Sequence, residues 1–123
     1  MPESSERSSS VKACFILRLK PEFIDAYLAM HSPVWPEMLE AIRDAGWSNY
    51  TIFLRPDGTL VGYFETDDLD RARVRMASFE VDGRWAAKSR HFFDGPQHWL
   101  NPVFNLGAQL RASGLSLAAG PSA

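Results

Sequence analysis

Two side chains that can bind a ligand and move protons are spaced four residues apart in the first third of the chain. Tyr27 and His31 lie in the segment PEFIDAYLAMH, which is rich in helix-forming residues, so on a helix they project from the same face. Histidine, with an ordinary pKa of about 6.5, both donates and accepts protons near neutral pH. His31 is therefore a candidate acid–base catalyst. The alternative, which spacing alone favours, is a structural histidine bonded to a backbone carbonyl at a helix break.

Two further aromatic side chains are candidates for ligand contacts. Tyr50 lies in the strand-like run WSNYTIFL, and Trp85 lies in the helical segment VDGRWAAKSRHFF. Each could equally be a core residue, which is the commoner role of a buried aromatic side chain. The C–H face of a pyranose ring packs on an aromatic plane, whereas its hydroxyls need directional donors and acceptors. Tyr, Trp and His together therefore suit a sugar.

A carboxylate lies in the second strand of the predicted hairpin. Glu65 shares a strand face with Val61 and Tyr63, and a carboxylate on an apolar face must be paired, lie at a strand end, or act in a site. We expect pairing first and a role in a site second.

The apolar pattern predicts the elements that must position these side chains. The run VKACFILRL, from Val11, predicts a strand, and Pro21 opens a helix at the position where its missing N–H costs least. Pro33 and Pro36 each remove a helical hydrogen bond, so the helix must break near His31 before MLEAIRDAG completes a second piece ending at Gly46.

The second half of the chain continues with a hairpin and a helix. WSNYTIFL and LVGYFET are joined by the turn RPDGT, and residues 67–78 predict a helix that begins with acidic residues. The helical segment VDGRWAAKSRHFF follows, entered through Asp82 and Gly83. GPQHW then indicates a loop and PVFNL a last strand. This order predicts an α+β fold of the β-α-β-β-α-β, ferredoxin-like type.

Such a sheet leaves one face without helices, and the first strand is apolar on both faces at its centre. Cys14 and Ile16 would lie on the second face and need a cover, which indicates a homodimer. The single cysteine cannot form an intrachain disulfide, so a reducing, cytoplasmic location suits the chain.

Composition restricts the partners of this single domain. The 123 residues carry a formal net charge of -2 with both signs interspersed, so neither a nucleic acid nor a membrane surface is expected to bind. His31, His91 and His98 show no metal-binding spacing, and nucleotide-binding motifs are absent, so we expect no metal and no cofactor. We expect a disordered tail over residues 1–10, a domain over residues 11–106 and a flexible tail over residues 107–123.

The segment YLAMHSPVWPEML resembles the Y-x3-H-x-P-x-W-P-E signature of the L-rhamnose mutarotase family, and the similarity continues through GWSNYTIFL, GYFE and GRW. The resemblance implies a dimeric α/β barrel in which His31 is the proton donor. It also implies that Tyr27, Tyr50 and Trp85 contact the sugar. Ala86 stands where some family members carry a second tryptophan, so a stacking surface of the pocket is absent.

The resemblance implies exchange of the α and β anomers of L-rhamnose by acid–base ring opening. A water molecule or a carboxylate such as Glu65 would take the second proton. Three alternatives stay open: a mutarotase for another deoxyhexose such as L-fucose, a non-catalytic sugar-binding protein, and a monooxygenase, because unrelated chemistries share this fold.

Overall fold

A computed structural model describes residues 11–120 of the chain. The expected N-terminal tail, residues 1–10, lies outside the described residues, as do residues 121–123. Along the described chain the strands and α-helices follow the predicted order, with one further helix after the last strand. Single turns of 3-10 helix, Pro21–Phe23 and Arg90–Phe92, lie just before the first α-helix and just after the fourth. The elements are β1 (Val11–Arg18), α1 (Ile24–Met30), α2 (Pro36–Asp44), β2 (Ser48–Leu54), β3 (Thr59–Thr66), α3 (Leu69–Ser78), α4 (Glu80–Ser89), β4 (His98–Leu100) and α5 (Leu106–Ala112).

The four strands form one antiparallel sheet in the order β2-β3-β1-β4. The α+β class and the ferredoxin-like arrangement predicted from the sequence are thereby confirmed. Between residues 11 and 120, no helix is long and apolar enough to span a membrane.

Alternation along β1 separates the two faces of the sheet. Ala13 and Phe15 are buried, and they pack with Phe64 of β3 and Ala72 of α3. Phe64 is completely inaccessible to solvent, and its ring stacks on Trp47 with 3.8 Å between centroids. This face, covered by helices, is the core face that the sequence predicted for β1.

The opposite face of the sheet has no cover within residues 11–120. None of the three clusters of buried side chains includes Cys14, Ile16, Val61 or Tyr63, and all four are partly exposed. Phe53 on β2, opposite Val61, is 59% exposed. We call these five side chains the open sheet face.

The helix breaks where the two prolines require it. α1 ends at Met30, and α2 begins with Pro36 at its first position. α2 ends at Asp44, and Gly46 follows with a φ of +91°, a left-handed conformation that favours glycine. The predicted interruption near His31 is confirmed.

The last strand lies earlier than predicted. β4 is His98–Leu100, within and just after the GPQHW segment that we expected to be a loop, whereas PVFNL is not a strand. Trp99 decides this, because it pairs with Phe15 across the sheet and its ring lies 5.2 Å from that ring. Pro102 has no N–H to continue the ladder, and Val103 beyond it is 96% exposed.

Two helix predictions also need correction. α4 begins at Glu80, not at Asp82 and Gly83, because Phe79 is extended and separates α3 from α4. The segment from residue 107, expected to be a flexible tail, contains most of α5. The Asn105 side chain caps this helix by accepting a hydrogen bond from the N–H of Ala108 at 2.9 Å.

A buried side chain, that of Phe15, lies directly against the backbone of the sheet at Gly62. A Cβ added there would lie 2.2 Å from Cζ of Phe15. Gly62→Ala should therefore destabilise the fold by about 1–3 kcal/mol, because the buried ring must move. Gly83→Ala is the matched control: nothing lies within 4 Å of its added Cβ. This helical position should gain about 0.5–1 kcal/mol instead. Urea unfolding of both variants measures their free energies of unfolding. Equal values would contradict the contact between Gly62 and the ring of Phe15.

Candidate functional site

A cavity of about 290 Å³ lies between the helix-covered face of the sheet and the helices α1, α2 and α4. Its walls are mostly apolar, and three of the side chains predicted from the sequence to bind a ligand also face it. The lining residues are His31, Val34, Met38, Leu39, Ile42, Tyr50, Ile52 and Trp85. We call it the His31 cavity.

The four predicted site residues come together around this cavity. The rings of Tyr27 and His31 lie 4.1 Å apart, and those of His31 and Trp85 lie 5.2 Å apart and nearly perpendicular. Tyr50 enters from β2 on the other side of the cavity. Residues from two helices and one strand thus meet at one point, although their individual roles stay predictions.

The two nitrogens of His31 have different environments. Nδ1 lies 2.8 Å from the carbonyl oxygen of Tyr27, one helical turn earlier. A carbonyl only accepts hydrogen bonds, so Nδ1 carries a proton, and this contact assigns the tautomer. In the neutral ring Nε2 is then an acceptor, and in the charged ring it is a donor. The structural role considered from the sequence belongs to Nδ1, which binds the backbone. The acid–base role, which stays a prediction, would belong to Nε2 of the same ring.

Tyr27 and Tyr50 carry neutral hydroxyls. Burial raises the pKa of Tyr27 to about 12, and burial also raises the pKa of Tyr50, with smaller contributions from Tyr27 and Asp82. Neither hydroxyl makes a hydrogen bond to another residue within 11–120. A buried polar group without a partner costs about 1–3 kcal/mol, so a ligand that carries hydroxyls would satisfy both.

Trp35 and Trp85, which we call the tryptophan wall, lie beside an ion pair that the sequence did not predict. Nη2 of Arg84 on α4 donates to Oε1 of Glu37 in the first turn of α2 at 2.7 Å. Trp35 and Trp85 meet edge to face at 4.9 Å beneath this pair. Both charged side chains are about half exposed, so the pair adds little stability and mainly sets the relative position of the two helices. No local pattern could identify partners 47 positions apart.

Glu65 has the paired role that ranked first in the sequence analysis. Its carboxylate accepts hydrogen bonds from the Tyr63 hydroxyl at 2.6 Å and from Nδ2 of Asn49 at 3.0 Å. These two bonds hold the pKa of Glu65 below its usual value, and the bond from Tyr63 has the larger effect. Because Phe64 points into the core, its neighbours Tyr63 and Glu65 point to the opposite face of the sheet. The suggestion that Glu65 takes a proton in the His31 cavity is therefore wrong for this chain.

Ala86 lines a different cavity from Trp85. It borders a space of about 410 Å³ whose other walls include Leu17, Arg90 and Phe93. Phe93 also lies near Tyr27, and the two rings meet edge to face with their centroids 5.9 Å apart. For metals, the described part of the chain contains no group of three His, Cys, Asp or Glu side chains able to hold an ion.

Known proteins are similar to this chain in sequence and in fold. The model of the L-rhamnose mutarotase family matches residues 12–106. The L-rhamnose mutarotase of Ligilactobacillus salivarius is 38% identical over 76 residues, which are 58% of this chain and 69% of that protein. That of Lachnoclostridium phytofermentans is 36% identical over 78 residues, or 63% and 74% of the two chains.

Solved structures share the fold. The L-rhamnose mutarotase of Formosa agariphila superposes with a TM-score of 0.65 at 23% identity, covering 78% of this chain and 98% of that one. A monooxygenase from Streptomyces coelicolor superposes with a TM-score of 0.59 at 15% identity, covering 86% and 97%. At these identities the similarity establishes the fold alone, so the fold by itself does not separate the two chemistries.

The buried phenol of Tyr27 predicts a loss of stability in alkali. In the unfolded chain Tyr27 ionises near its ordinary pKa of about 10, and in the folded chain near 12. At a pH between these two pKa values, Tyr27 keeps its proton in the folded state and loses it in the unfolded state. The free energy of unfolding therefore falls as the pH rises through this range. We expect the parent to lose about 1 kcal/mol more than Tyr27→Phe between about pH 8 and pH 11, measured by urea unfolding. Equal losses in both proteins would contradict the buried, neutral hydroxyl.

Proposed function

Because the chain belongs to the L-rhamnose mutarotase family, we propose that it interconverts the α and β anomers of L-rhamnose, with His31 as the acid–base catalyst. One observation in the structure carries this proposal. The bond from Nδ1 to Tyr27 leaves Nε2 of His31 without a hydrogen-bond partner among residues 11–120, and the His31 ring lies against Tyr27 and lines one cavity with Tyr50.

Anomer exchange needs two proton movements and no net reagent. A proton reaches the ring oxygen while another leaves the anomeric hydroxyl, the bond from C1 to the ring oxygen breaks, and C1 becomes a carbonyl carbon. Rotation about the C1–C2 bond presents the other face of the carbonyl, and the reverse transfers close the ring. Charged His31 supplies the first proton from Nε2 and recovers it on closure.

The second proton needs an acceptor at the anomeric hydroxyl. The two options considered from the sequence were a carboxylate, such as Glu65, and a water molecule. Glu65 is bound to Tyr63 and Asn49 on the other face of the sheet. We therefore assign this transfer to water, which is abundant and needs no dedicated side chain.

The other site residues bind and orient the sugar. Tyr27 and Tyr50 stay protonated throughout the physiological pH range because burial raises their pKa values, so each hydroxyl donates and accepts hydrogen bonds without adding charge. Trp85 offers an apolar surface against which the C–H groups of a pyranose pack. Such a pocket suits a neutral sugar, because the phenols keep their protons while His31 gives up and recovers its own.

Family membership and the free Nε2 of His31 favour this activity over the alternatives. A non-catalytic sugar-binding protein would not need a proton donor held in one tautomer. A monooxygenase shares the fold but is not the family whose model matches the chain. The choice between L-rhamnose and L-fucose depends on how each sugar meets Tyr50 and Trp85 in the His31 cavity.

His31→Ala should remove most of the activity, since positioned proton transfer contributes about 100- to 10,000-fold. Saturation-transfer NMR between the α and β anomeric protons of L-rhamnose, then of L-fucose, measures the exchange rate. His91→Ala is the matched control, because His91 is exposed and contacts Phe23 and Phe92 away from the cavity. Parental rates in His31→Ala would overturn the assignment, and sugar binding without exchange in the parent would identify a sensor.

We further propose that the chain acts as a homodimer in a reducing, cytoplasmic environment. The open sheet face supports the dimer, because it exposes Phe53 together with apolar side chains of β1 and β3. A single partly buried cysteine, Cys14, on that face supports a compartment in which disulfides are not formed.

Phe53→Asp should turn the dimer into a monomer, because it places a charge on the open sheet face that the partner would cover. Sedimentation velocity at micromolar concentration measures the species present. Leu28→Asp is the control, since Leu28 is a similarly exposed apolar residue on α1, away from the open sheet face. A parent that sediments as a monomer would refute the dimer, as would a Phe53→Asp variant that stays dimeric.

A further inference from the structure

A second cavity, of about 550 Å³, lies where α3, the start of α4 and the strand β4 meet. Indole, carboxylate, guanidinium and amide groups border it together with shorter apolar side chains. The groups that carry chemistry are Trp47, Asp70, Arg73, Asp82, Gln97 and Trp99. No lining residue is shared with the His31 cavity. We call this space the Trp99 cavity.

The cationic group of the Trp99 cavity is held in place by an aromatic ring and not by an acid. The guanidinium of Arg73 lies 4.4 Å from the centre of the Trp99 ring. Asp70 lies one helical turn earlier on α3, yet Arg73 forms no ion pair with any residue in the range 11–120. The donors of Arg73 are therefore positioned and available to a ligand.

Asp82 supplies an acceptor that no protein group satisfies. Its side chain is partly buried, and burial raises the pKa of its carboxyl. Among the described residues, no hydrogen bond or ion pair reaches this carboxylate. Removing a carboxylate from water without donors is unfavourable, so a ligand that donates hydrogen bonds would be stabilised here.

The charges and surfaces of the Trp99 cavity select the class of ligand. Two carboxylates, Asp70 and Asp82, against one guanidinium, Arg73, give an excess of one negative charge, which disfavours an anion. Indole walls and only two carboxylates do not suit a metal ion. Donors and acceptors arranged around apolar aromatic walls match a neutral ring that carries hydroxyls.

We propose that the Trp99 cavity is a second saccharide-binding site, distinct from the site of anomer exchange. It goes beyond the proposed function, because it involves none of the residues around His31. The two sites are neighbours all the same: Trp47 borders the Trp99 cavity, and its ring contacts that of Tyr50, which borders the His31 cavity, at 5.1 Å. Trp85 borders the His31 cavity and Trp99 borders the Trp99 cavity, so these two indoles report on the two sites separately.

Indole N–H signals provide the test, since the chain has four tryptophans and each site has its own. The 15N-labelled full-length protein is titrated with L-rhamnose, and Trp99→Phe and Trp85→Phe assign the two signals by their loss. We expect both to shift and saturate. Arg73→Gln should weaken the titration seen at Trp99 by about ten-fold or more, because it removes a charge-assisted hydrogen bond, and leave that at Trp85 unchanged. Asp82→Asn should weaken the titration at Trp99 to a similar extent.

Arg75→Gln is the matched control, because Arg75 is exposed on the same helix and does not border the Trp99 cavity. A shift at Trp85 without one at Trp99 overturns the second site and leaves the proposed function standing. Saturable binding at Trp99 with no response at Trp85 supports the second site and counts against the proposed function. A Trp99 shift that does not saturate, that glycerol reproduces, or that inorganic phosphate causes in place of L-rhamnose also overturns the proposal.

Discussion

The hydrogen bond between Nδ1 of His31 and the carbonyl oxygen of Tyr27, 2.8 Å long, links the backbone of this protein to its chemistry. It forms because α1 stops at Met30, so His31 lies at the helix end, where its ring reaches back one turn. Pro33 and Pro36 enforce that ending by removing helical hydrogen bonds. The same break turns the chain into α2, whose side chains form one wall of the cavity. A local backbone constraint thereby sets both the tautomer of the histidine and the shape of its surroundings.

The sheet holds the second half of the site in place. Tyr50 lies on β2, an edge strand, but its ring packs against Trp47, Phe64 and Phe15, which belong to the buried core. A side chain held in this way loses little further entropy when a ligand binds. The opposite face of the same strands carries Tyr63 and Glu65, which satisfy each other. The two faces of the sheet thus have different tasks: Tyr50 of β2 faces the cavity, and Tyr63 and Glu65 of β3 pair on the opposite face.

Fold and function are separable in this architecture. The same sheet and helices occur in monooxygenases, so the backbone does not specify the reaction. In the proposed mechanism the reaction depends on a few side chains: the histidine His31, the two neutral phenols and the indole of Trp85. The ion pair between Glu37 and Arg84 shows how more distant residues serve this group, since it joins the helices that carry the tryptophan wall.

The sequence by itself determined the features that depend on neighbours along the chain. The order of the elements, the helix break and the common face of Tyr27 and His31 all follow from proline, glycine and apolar spacing within a few residues. The motif around His31 also identified the family and the four residues that the fold brings together. The helical cap at Asn105 was equally local, and the sequence analysis overlooked it.

Only the tertiary structure decided the features that depend on distant residues. β4 is a strand because Trp99 packs on Phe15, a contact between segments more than eighty positions apart, and no local pattern in GPQHW indicates it. Long-range packing likewise determines that Glu65 lies on the sheet face opposite the cavity. It also determines that Arg84 pairs with Glu37. The free nitrogen of His31 belongs to the same class, because spacing places a ring on a helix but does not say which atom the backbone binds.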